Sequence, residues 1–359
     1  MLQRLESNLG ITGSALQWLR SYFADRKQFV CINGSKSEFH HLPYGVPQGS
    51  LIGPFSFPKY TQPIAKIAEK FNINFHLYAD DTQLYCTFDK GKATEAASLL
   101  EECIEEIRQW MRRNMLKLNH SKTEILCIGY KHIMSNAWVS SLAVGESNVQ
   151  VTTSARNIGV IMDDRLSMAD HINATCKSAY LNLRNIACAR RYLTEDTTST
   201  LVHSLVTSKL DCLNALFYGL PDTLIKKLQR IQNHAAKVIK RRKKHDHVTP
   251  LLVELHWLPV KQRIRYKVLL LTFKCLNGKA PKYLCDLLQT YQPIRSLRSE
   301  SRNLLTEKSS KSKTYGDRAF SVAAPRLWNS MPMDLRDISS IETFKKKLKT
   351  YLFKEAYDL

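Results

Sequence analysis

Alternating hydrophobic and polar positions predict a β-hairpin near residue 80. Phe75 and Leu77 come before a short polar turn that contains Asp80 and Asp81, and Leu84 opens a second apolar stretch after it. Aromatic and aliphatic residues on both sides of a short polar turn are typical of two antiparallel strands. The pattern therefore places two adjacent carboxylates at the tip of a hairpin.

Apolar residues at helical spacing predict a long helix over residues 95–118. A shorter helix is predicted at 13–23, and a hairpin at 29–39 that turns at Asn33-Gly34. Residues 124–128 read as a further strand. The apolar stripe of the long helix consists of Leu99, Leu100, Cys103, Ile107, Trp110 and Met111.

The second half of the chain has helical periodicity almost throughout. Apolar stripes run through residues 169–240 and 260–276, and an amphipathic helix is predicted from residue 341 onwards. Residues 291–313 are rich in Ser, Arg and Lys and read as a linker or flexible arm. Strands that precede a run of helices indicate the α+β fold class.

Charge is distributed unevenly along the 359 residues, which carry a formal net charge of +21. Residues 1–176 hold 18 Lys and Arg against 17 Asp and Glu, whereas residues 177–359 hold 35 against 15. The second half thus has a net charge of +20. Such a concentration of basic charge indicates a polyanionic partner, through contacts with phosphates and release of counterions.

The densest basic run lies at residues 237–245. Three interpretations of it stay open: a solvated and partly disordered linker, a contact with nucleic acid, and a nuclear-import signal. The candidate contacts with a nucleic-acid backbone are Lys240, Arg241, Arg242, Lys243 and Lys244.

The sequence does not support a membrane span, a zinc site, a disulfide framework or a signal peptide. The longest apolar run, Val268 to Leu271, is far too short to span a bilayer. The nine cysteines contain no C-x-x-C spacing, which argues against a zinc site or a disulfide framework. No signal pattern follows Met1. We expect no membrane association, and no protein partner is evident from the sequence.

The adjacent Asp80 and Asp81 side chains suggest a metal site. Two like charges so close together repel each other, and a cation relieves that repulsion. Mg²⁺ and Mn²⁺ prefer carboxylate oxygen ligands. Two such ions, about 3.5–4 Å apart, can stabilise the attacking and leaving oxygens of a phosphoryl transfer. An ordinary polar hairpin turn is the alternative that this pair alone leaves open.

Two further segments accompany the hairpin. The glycine loop Gly45-Val46-Pro47-Gln48-Gly49-Ser50 precedes it by about thirty residues, and Gly49 and Gly53 would let the backbone approach a ligand closely. Ser50 can cap a following helix, and Pro54 suits the first turn of that helix. A third segment, Leu116-Lys117-Leu118-Asn119 with Lys122 and Thr123, follows the long helix.

These three segments, in this order, resemble the palm of a reverse transcriptase, and most of all that of non-LTR retrotransposons of the Jockey, CR1 and L2 kind. The likeness extends to residues 19–28 before the glycine loop, and to residues 256–260 and 324–329 near the other end. The resemblance implies templated nucleotidyl transfer with Mg²⁺ or Mn²⁺ as cofactor. Its partners would be an RNA template, a DNA primer and deoxynucleoside triphosphates, in the nucleus or the cytoplasm.

The resemblance also assigns roles to residues and regions. It implies a partial fingers and palm region at 1–165, a helical thumb at 166–245 and a basic helical C-terminal region at 246–359. Asp80 and Asp81 would be the catalytic metal ligands. The nucleotide- and template-binding residues would be Gln48, Gly49, Ser50, Tyr78 and Lys122.

One departure from the family pattern affects the expected activity. The first metal-binding Asp of the family lies on a strand that would precede Leu2, and Asp25 is a poor substitute because it sits in a basic turn. We therefore expect a truncated element that is inactive as a polymerase when alone, because two-metal catalysis needs carboxylates from both strands. The alternative is a non-catalytic nucleic-acid-binding protein, either a relic or a domesticated polypeptide.

Overall fold

The computed structural model describes residues 1–46, 49–89, 91–129, 139–292, 303–310, 312 and 314–359. Within this part of the chain the residues form two compact units, Met1–Ile158 and Gly159–Leu359. We call them the N-terminal unit and the C-terminal unit. Strands occur mainly in the first and helices dominate the second, so the predicted mixture of helix and sheet is confirmed.

The N-terminal unit begins with two helices and a set of short strands. The helix predicted at 13–23 is present with those bounds, and Asn33-Gly34 forms the turn between two paired strands. The elements are α1 (Leu2–Leu9), α2 (Gly13–Phe23), β1 (Lys27–Gln28), β2 (Cys31–Ile32), β3 (Ser35–Lys36), β4 (His40–His41), α3 (Gly53–Thr61) and α4 (Pro63–Lys70).

A hairpin and a long helix form the centre of this unit. The strands β5 (Asn74–Tyr78) and β6 (Asp81–Tyr85) are antiparallel, and α5 spans Ala93–Arg113. The predicted hairpin is therefore confirmed. Apolar residues of β5, β6, α4 and α5 share one hydrophobic cluster, whose fully buried members are Ile64, Ala68, Ile73, Cys103 and Ile107.

The long helix ends earlier than its apolar pattern predicted. α5 stops at Arg113, and Met115 adopts a left-handed backbone with φ +54°. That conformation cannot continue a right-handed helix, so residues 114–118 leave it. The strand predicted at 124–128 is shorter as well: β7 covers Ile125–Leu126 and pairs in parallel with β9 (Ser147–Thr152). The remaining strands of this unit are β8 (Ser141–Val144) and β10 (Ser154–Asn157).

The C-terminal unit starts with one strand, β11 (Val160–Asp163), and is otherwise built of helices in the residues that the structure describes. The predicted helices at 260–276 and from 341 onwards are both present. The helices are α6 (Ala169–Ala189), α7 (Glu195–Val202), α8 (Ser208–Asp211), α9 (Asp222–Ile239), α10 (Thr249–Glu254), α11 (Val260–Leu276), α12 (Lys282–Cys285), α13 (Phe320–Asn329), α14 (Met333–Arg336) and α15 (Ile341–Tyr357).

Two hydrophobic clusters fill the C-terminal unit, and α11 contributes to both. Val260 and Ile264, near the start of α11, lie in the cluster formed with α6 and α9. Val268 and Phe273, further along the same helix, lie in the cluster formed with α13 and α15. The division predicted at residue 245 therefore does not separate two hydrophobic cores.

Part of the predicted flexible arm is ordered. Leu305 is buried, and its backbone N–H donates to Asn329 Oδ1 at 2.9 Å while its carbonyl accepts from Asn329 Nδ2 at 2.8 Å. The arm interpretation is thus wrong for residues around Leu305, because composition alone does not reveal one apolar anchor. Residues 293–302 lie outside the described part of the chain. No helix among the described residues is long and apolar enough to cross a membrane.

His203, which is solvent-exposed but lies against Trp257, makes a small pH-dependent contribution to the stability of the C-terminal unit. Its ring packs edge-on against Trp257 at 5.4 Å, and partial desolvation, followed by the charge of Arg263, lowers its pKa below the ordinary 6.5. The unfolded chain therefore binds the proton more readily than the folded chain, so this stability is complete above pH 6.5 and is lost as the pH falls through the folded pKa. Denaturant unfolding at pH 8 and pH 5.5 measures the effect. We expect a smaller decline in His203→Gln, and an equal decline in both proteins would contradict this role.

Candidate active site and nucleic-acid interface

The two carboxylates lie at the tip of the β5–β6 hairpin. Tyr78 and Asp81 form the last cross-strand pair, so Ala79 and Asp80 make a two-residue turn. Ala79 has φ +52°, and a positive φ at the first of two loop residues is the pattern of type II′ hairpin turns. A residue with a Cβ costs about 1 kcal/mol in this conformation. The strained turn therefore holds Asp80 and Asp81 side by side at an exposed position.

The hairpin has one packed face and one open face. Phe75, Leu77 and Leu84 point to the hydrophobic cluster with α4 and α5, because alternate residues of a strand share a face. Asp81 shares the opposite face with its cross-strand partner Tyr78, whose side chain is 61% exposed. A ligand can thus reach Asp81 and the Tyr78 ring from the same side.

Neighbouring side chains order the open face behind the carboxylates. Asn157 Nδ2 donates to Gln83 Oε1 at 3.0 Å, which ties β6 to the end of β10. The rings of His76 and Tyr85 stack with centroids 5.5 Å apart. These contacts hold the strands that carry the tip, while the tip itself stays open.

The donor set at the tip suits part of a metal site. Two exposed carboxylates provide hard oxygen ligands, which Mg²⁺ and Mn²⁺ prefer. Among the described residues, however, no group of three or more His, Cys, Asp or Glu side chains converges on one point. Asp80 and Asp81 therefore fit two positions of a coordination shell that further ligands would complete.

The two glycines predicted to approach a ligand have different surroundings, since Gly49 is exposed whereas Gly53 is buried at the start of α3. Gly45 and Gly49 each have φ +83°, a conformation that favours glycine. Ser50 Oγ accepts the N–H of Gly53 at 3.0 Å, and Tyr22 Oη donates to the same oxygen at 2.8 Å. Ser50 thus accepts the first N–H of α3, although the N-cap position is occupied by Ile52 and not by Ser50 as predicted. The predicted Gln48 lies outside the described residues.

The segment after α5 presents Lys122 at the surface. A short 3₁₀ turn covers His120–Lys122, and the Lys122 side chain is exposed. Among the described residues, no hydrogen bond or ion pair connects Lys122 with Asp80 or Asp81. The contacts of the described residues therefore do not link this predicted nucleotide-binding lysine to the two carboxylates.

A polar anchor at the end of α5 was missed by the sequence reasoning. Arg4 Nη2 donates to Asn114 Oδ1 at 2.7 Å, and Tyr60 Oη donates to the Asn114 carbonyl at 2.7 Å. The Arg4 guanidinium also lies 5.2 Å from the centroid of the Tyr60 ring and 5.5 Å from that of Trp110. This cluster fixes where α5 ends and hence where the segment towards Lys122 begins. Since its members are far apart in sequence, only the fold reveals it.

The basic run at 237–245 is more ordered than a linker. Residues up to Ile239 belong to α9, and Lys240 Nζ is held between Glu195 and Glu254, with 2.6 Å to Glu254 Oε1. Hydrogen bonds to Glu195 and then Glu254 raise the Lys240 pKa. The linker interpretation is wrong for this part of the run. Arg242, Lys243 and Lys244 are exposed.

A buried arginine positions the end of α9 and the start of that exposed turn. The Arg190 guanidinium donates to the carbonyls of Val238 at 2.9 Å and Ile239 at 2.7 Å, and to that of Leu193 at 2.6 Å. A cation at a helix C-terminus also interacts favourably with the helix dipole. The side chain is therefore a structural anchor and not a surface contact for a ligand.

A comparison with known families matches residues 7–182 to the family described as reverse transcriptase (RNA-dependent DNA polymerase). The match contains the glycine loop, the Asp80-Asp81 hairpin and the segment that carries Lys122. The sequence-based assignment to this family is thereby confirmed.

Individual relatives agree with the family match. The chain is 27% identical over 188 residues to a probable RNA-directed DNA polymerase from transposon BS of Drosophila melanogaster, which covers 51% of this chain and 20% of the relative. It is 25% identical over 232 residues to the corresponding protein of the X-element from the same organism, covering 62% and 24%. The polyprotein of the type-1 element R1 from Nasonia vitripennis is 26% identical over 130 residues, covering 36% and 38%. The chain thus spans about a fifth to two fifths of the length of these relatives.

Proposed function

Since the chain belongs to the reverse transcriptases of non-LTR retrotransposons, we propose that it acts as part of an RNA-directed DNA polymerase with Asp80 and Asp81 as metal ligands. The observation that carries the proposal is the strained, exposed hairpin tip that holds the two carboxylates side by side. Divalent metal ions are general to this family, and Mg²⁺ is the ion we propose here.

The proposed reaction is templated nucleotidyl transfer. The primer 3′-hydroxyl attacks the α-phosphorus of a deoxynucleoside triphosphate, a new phosphodiester bond forms and pyrophosphate leaves. Divalent ions, when bound, neutralise the charge that develops on the phosphoryl oxygens. The protein positions the reactants, because little covalent chemistry is left to its side chains.

Each predicted site residue takes a role in this scheme. Asp80 and Asp81 hold the cation, and the exposed ring of Tyr78 packs against the nucleotide on the open face of the hairpin. Lys122 faces the triphosphate, since an exposed ammonium neutralises phosphate charge. The proposed contacts with template and incoming nucleotide come from the glycine loop, through Gln48, Gly49 and Ser50.

The larger arrangement follows the same proposal. Residues 1–165 would form fingers and palm, 166–245 the thumb that holds the product duplex, and 246–359 a basic helical region. An RNA template, a DNA primer and deoxynucleoside triphosphates would be the partners, in the nucleus or the cytoplasm. The net charge of +20 on residues 177–359 supports a nucleic-acid partner there.

We further propose that polymerisation requires an additional carboxylate that another chain supplies. Two-metal catalysis needs more ligands than the pair at the hairpin tip. Primer extension on poly(rA)/oligo(dT), with Mg²⁺ and then Mn²⁺, tests this requirement. We expect the chain alone to incorporate no more nucleotide than its Asp80→Ala variant, while both proteins bind the duplex in a salt-sensitive way.

Incorporation by the chain alone in the same assay would contradict this proposal. Incorporation that disappears in Asp80→Ala but persists in Asp89→Ala, which removes another exposed carboxylate of the N-terminal unit, would show that the chain completes the site itself. The need for an additional carboxylate would then be refuted, and the roles of Asp80 and Asp81 supported.

The uneven charge favours a second candidate function, non-catalytic binding of nucleic acid by a relic or domesticated protein. The C-terminal unit carries nearly all of the excess positive charge, whereas the hairpin carboxylates lie in the N-terminal unit. Two results together would favour this function over the enzyme. Asp80→Ala would bind the duplex as well as the unchanged chain does, and no nucleotide would be incorporated even when a second chain that supplies the additional carboxylate is added.

A further inference from the structure

The last helix, α15, presents a row of lysines on its exposed face. Its apolar side is fully covered, since Phe344, Leu348 and Leu352 are all 0% exposed within the second cluster of the C-terminal unit. The opposite side carries four exposed ammonium groups. They belong to Lys346, Lys347, Lys349 and Lys354.

The glutamates of α15 do not neutralise this row. Glu342 pairs with Lys345 at 2.8 Å, and Glu355 pairs with Arg265 of α11. Asp358 lies just beyond the end of the helix, and Asp334 and Asp337 lie a few residues before its start. Among the described residues, no ion pair engages the ammonium groups of the four lysines.

This surface differs from the basic run at 237–245. There Lys240 is bound by two glutamates, Lys237 Nζ donates to the Lys244 carbonyl at 2.6 Å, and the N–H of Lys243 donates to Asp246. Several hydrogen-bonding groups of that run are therefore already paired within the protein. The α15 lysines have the greater freedom to meet a ligand.

We propose that the exposed face of α15 binds the phosphate backbone of a nucleic-acid duplex. Lys346 and Lys354 are eight residues apart, so the row extends about 12 Å along the helix. A duplex carries one negative charge per roughly 1.7 Å of its axis, which gives about seven phosphate charges over that length. Point charges on flexible stems suit contacts with a backbone whose sequence is not read.

An anionic membrane is the competing partner, and the packing of α15 argues against it. Helices that lie on membranes insert an apolar face between the lipids. The apolar face of α15 is already buried in the protein. The exposed face offers lysines and threonines, which gain from phosphates but contribute little insertion.

The test compares two charge-matched variants of the full chain. One replaces Lys346, Lys347, Lys349 and Lys354 with Gln. The control replaces four exposed basic residues of the N-terminal unit with Gln, so that the net charge falls equally. These control positions are Lys66, Lys92, Arg112 and Arg113.

Binding to an RNA–DNA hybrid duplex is measured between 50 and 200 mM salt, with thermal unfolding to confirm that both variants fold. We expect the slope of log affinity against log salt to become less steep by up to about 3.6 in the α15 variant. The control variant should change it by less than one. The result does not depend on incorporation, so it stands apart from the primer-extension assay.

Three outcomes would overturn the proposal. Equal changes in both variants would mean that net charge alone governs binding. An unchanged slope in the α15 variant would mean that this face makes no backbone contact. Loss of binding to vesicles that contain phosphatidylserine, with duplex binding retained, would assign the lysines to a membrane surface instead.

Discussion

Replacing Phe344 with alanine should destabilise the C-terminal unit by about 3–5 kcal/mol. The ring is 0% exposed and stacks on Phe273, with centroids 4.2 Å apart and planes at 17°, while Trp328 lies at 6.0 Å. The change removes the transfer free energy of a buried ring and leaves a cavity among rigid neighbours that cannot collapse.

Denaturant unfolding of the full chain measures this loss. Hydrogen exchange of peptides from α11, α13 and α15 then locates it within the C-terminal unit. Leu181→Ala is the control, since that side chain is 60% exposed and its truncation should cost less than 1 kcal/mol. A loss below 1 kcal/mol for Phe344→Ala would contradict the packing that we describe.

Replacing Arg190 with methionine should cost about 3 kcal/mol. The change keeps much of the side-chain volume but leaves the Ile239 carbonyl without its donor. It also removes the shorter of the two hydrogen bonds to each of the Val238 and Leu193 carbonyls, which keep longer ones from Arg241. These carbonyls lie where Arg190 is 9% exposed, so little water can take its place. The end of α9 should then fray.

Hydrogen exchange of the residues that follow α9 provides the measurement, together with denaturant unfolding. Arg191→Met is the matched control because Arg191 is the next residue and its side chain is exposed. We expect this variant to change the free energy of unfolding by no more than about 0.5 kcal/mol. Arg190→Lys should lie between the two, since one ammonium cannot reproduce the planar fork of donors. Equal stability of Arg190→Met and Arg191→Met would refute the anchoring role.

Local patterns were enough to predict the elements that carry the candidate site. The β5–β6 hairpin follows from alternation around Asp80-Asp81, and the helices at 13–23 and 260–276 follow from their apolar spacing. Each depends on residues close together in sequence. The same holds for Ser50, whose support for α3 is a contact over three residues.

Features that depend on distant residues could not be predicted in this way. The end of α5 is fixed by Arg4 and Tyr60, which lie far from Asn114 in sequence. The ion pairs that engage Lys240 come from α7 and α10. The sequence of a basic run does not show whether its charged side chains are exposed or already paired, because composition carries no information about partners from distant parts of the chain.

The candidate metal site combines a feature that local sequence predicts with features that depend on distant residues. Adjacent carboxylates on a tight turn are visible from sequence because the turn is local. The rest of a coordination shell comes from other strands, and neither spacing nor composition identifies those residues. The family resemblance assigned roles to Gln48 and Lys122, and these roles stay proposals.

Because α11 belongs to both hydrophobic clusters, the C-terminal unit should behave as one piece even after its backbone is cut. The exposed turn at residues 241–245, between α9 and α10, is open to a protease. Cleavage there breaks one peptide bond but leaves the contacts of Val260 and Ile264 with the first cluster in place. The two fragments should therefore remain together as a non-covalent complex and separate only when the whole unit unfolds.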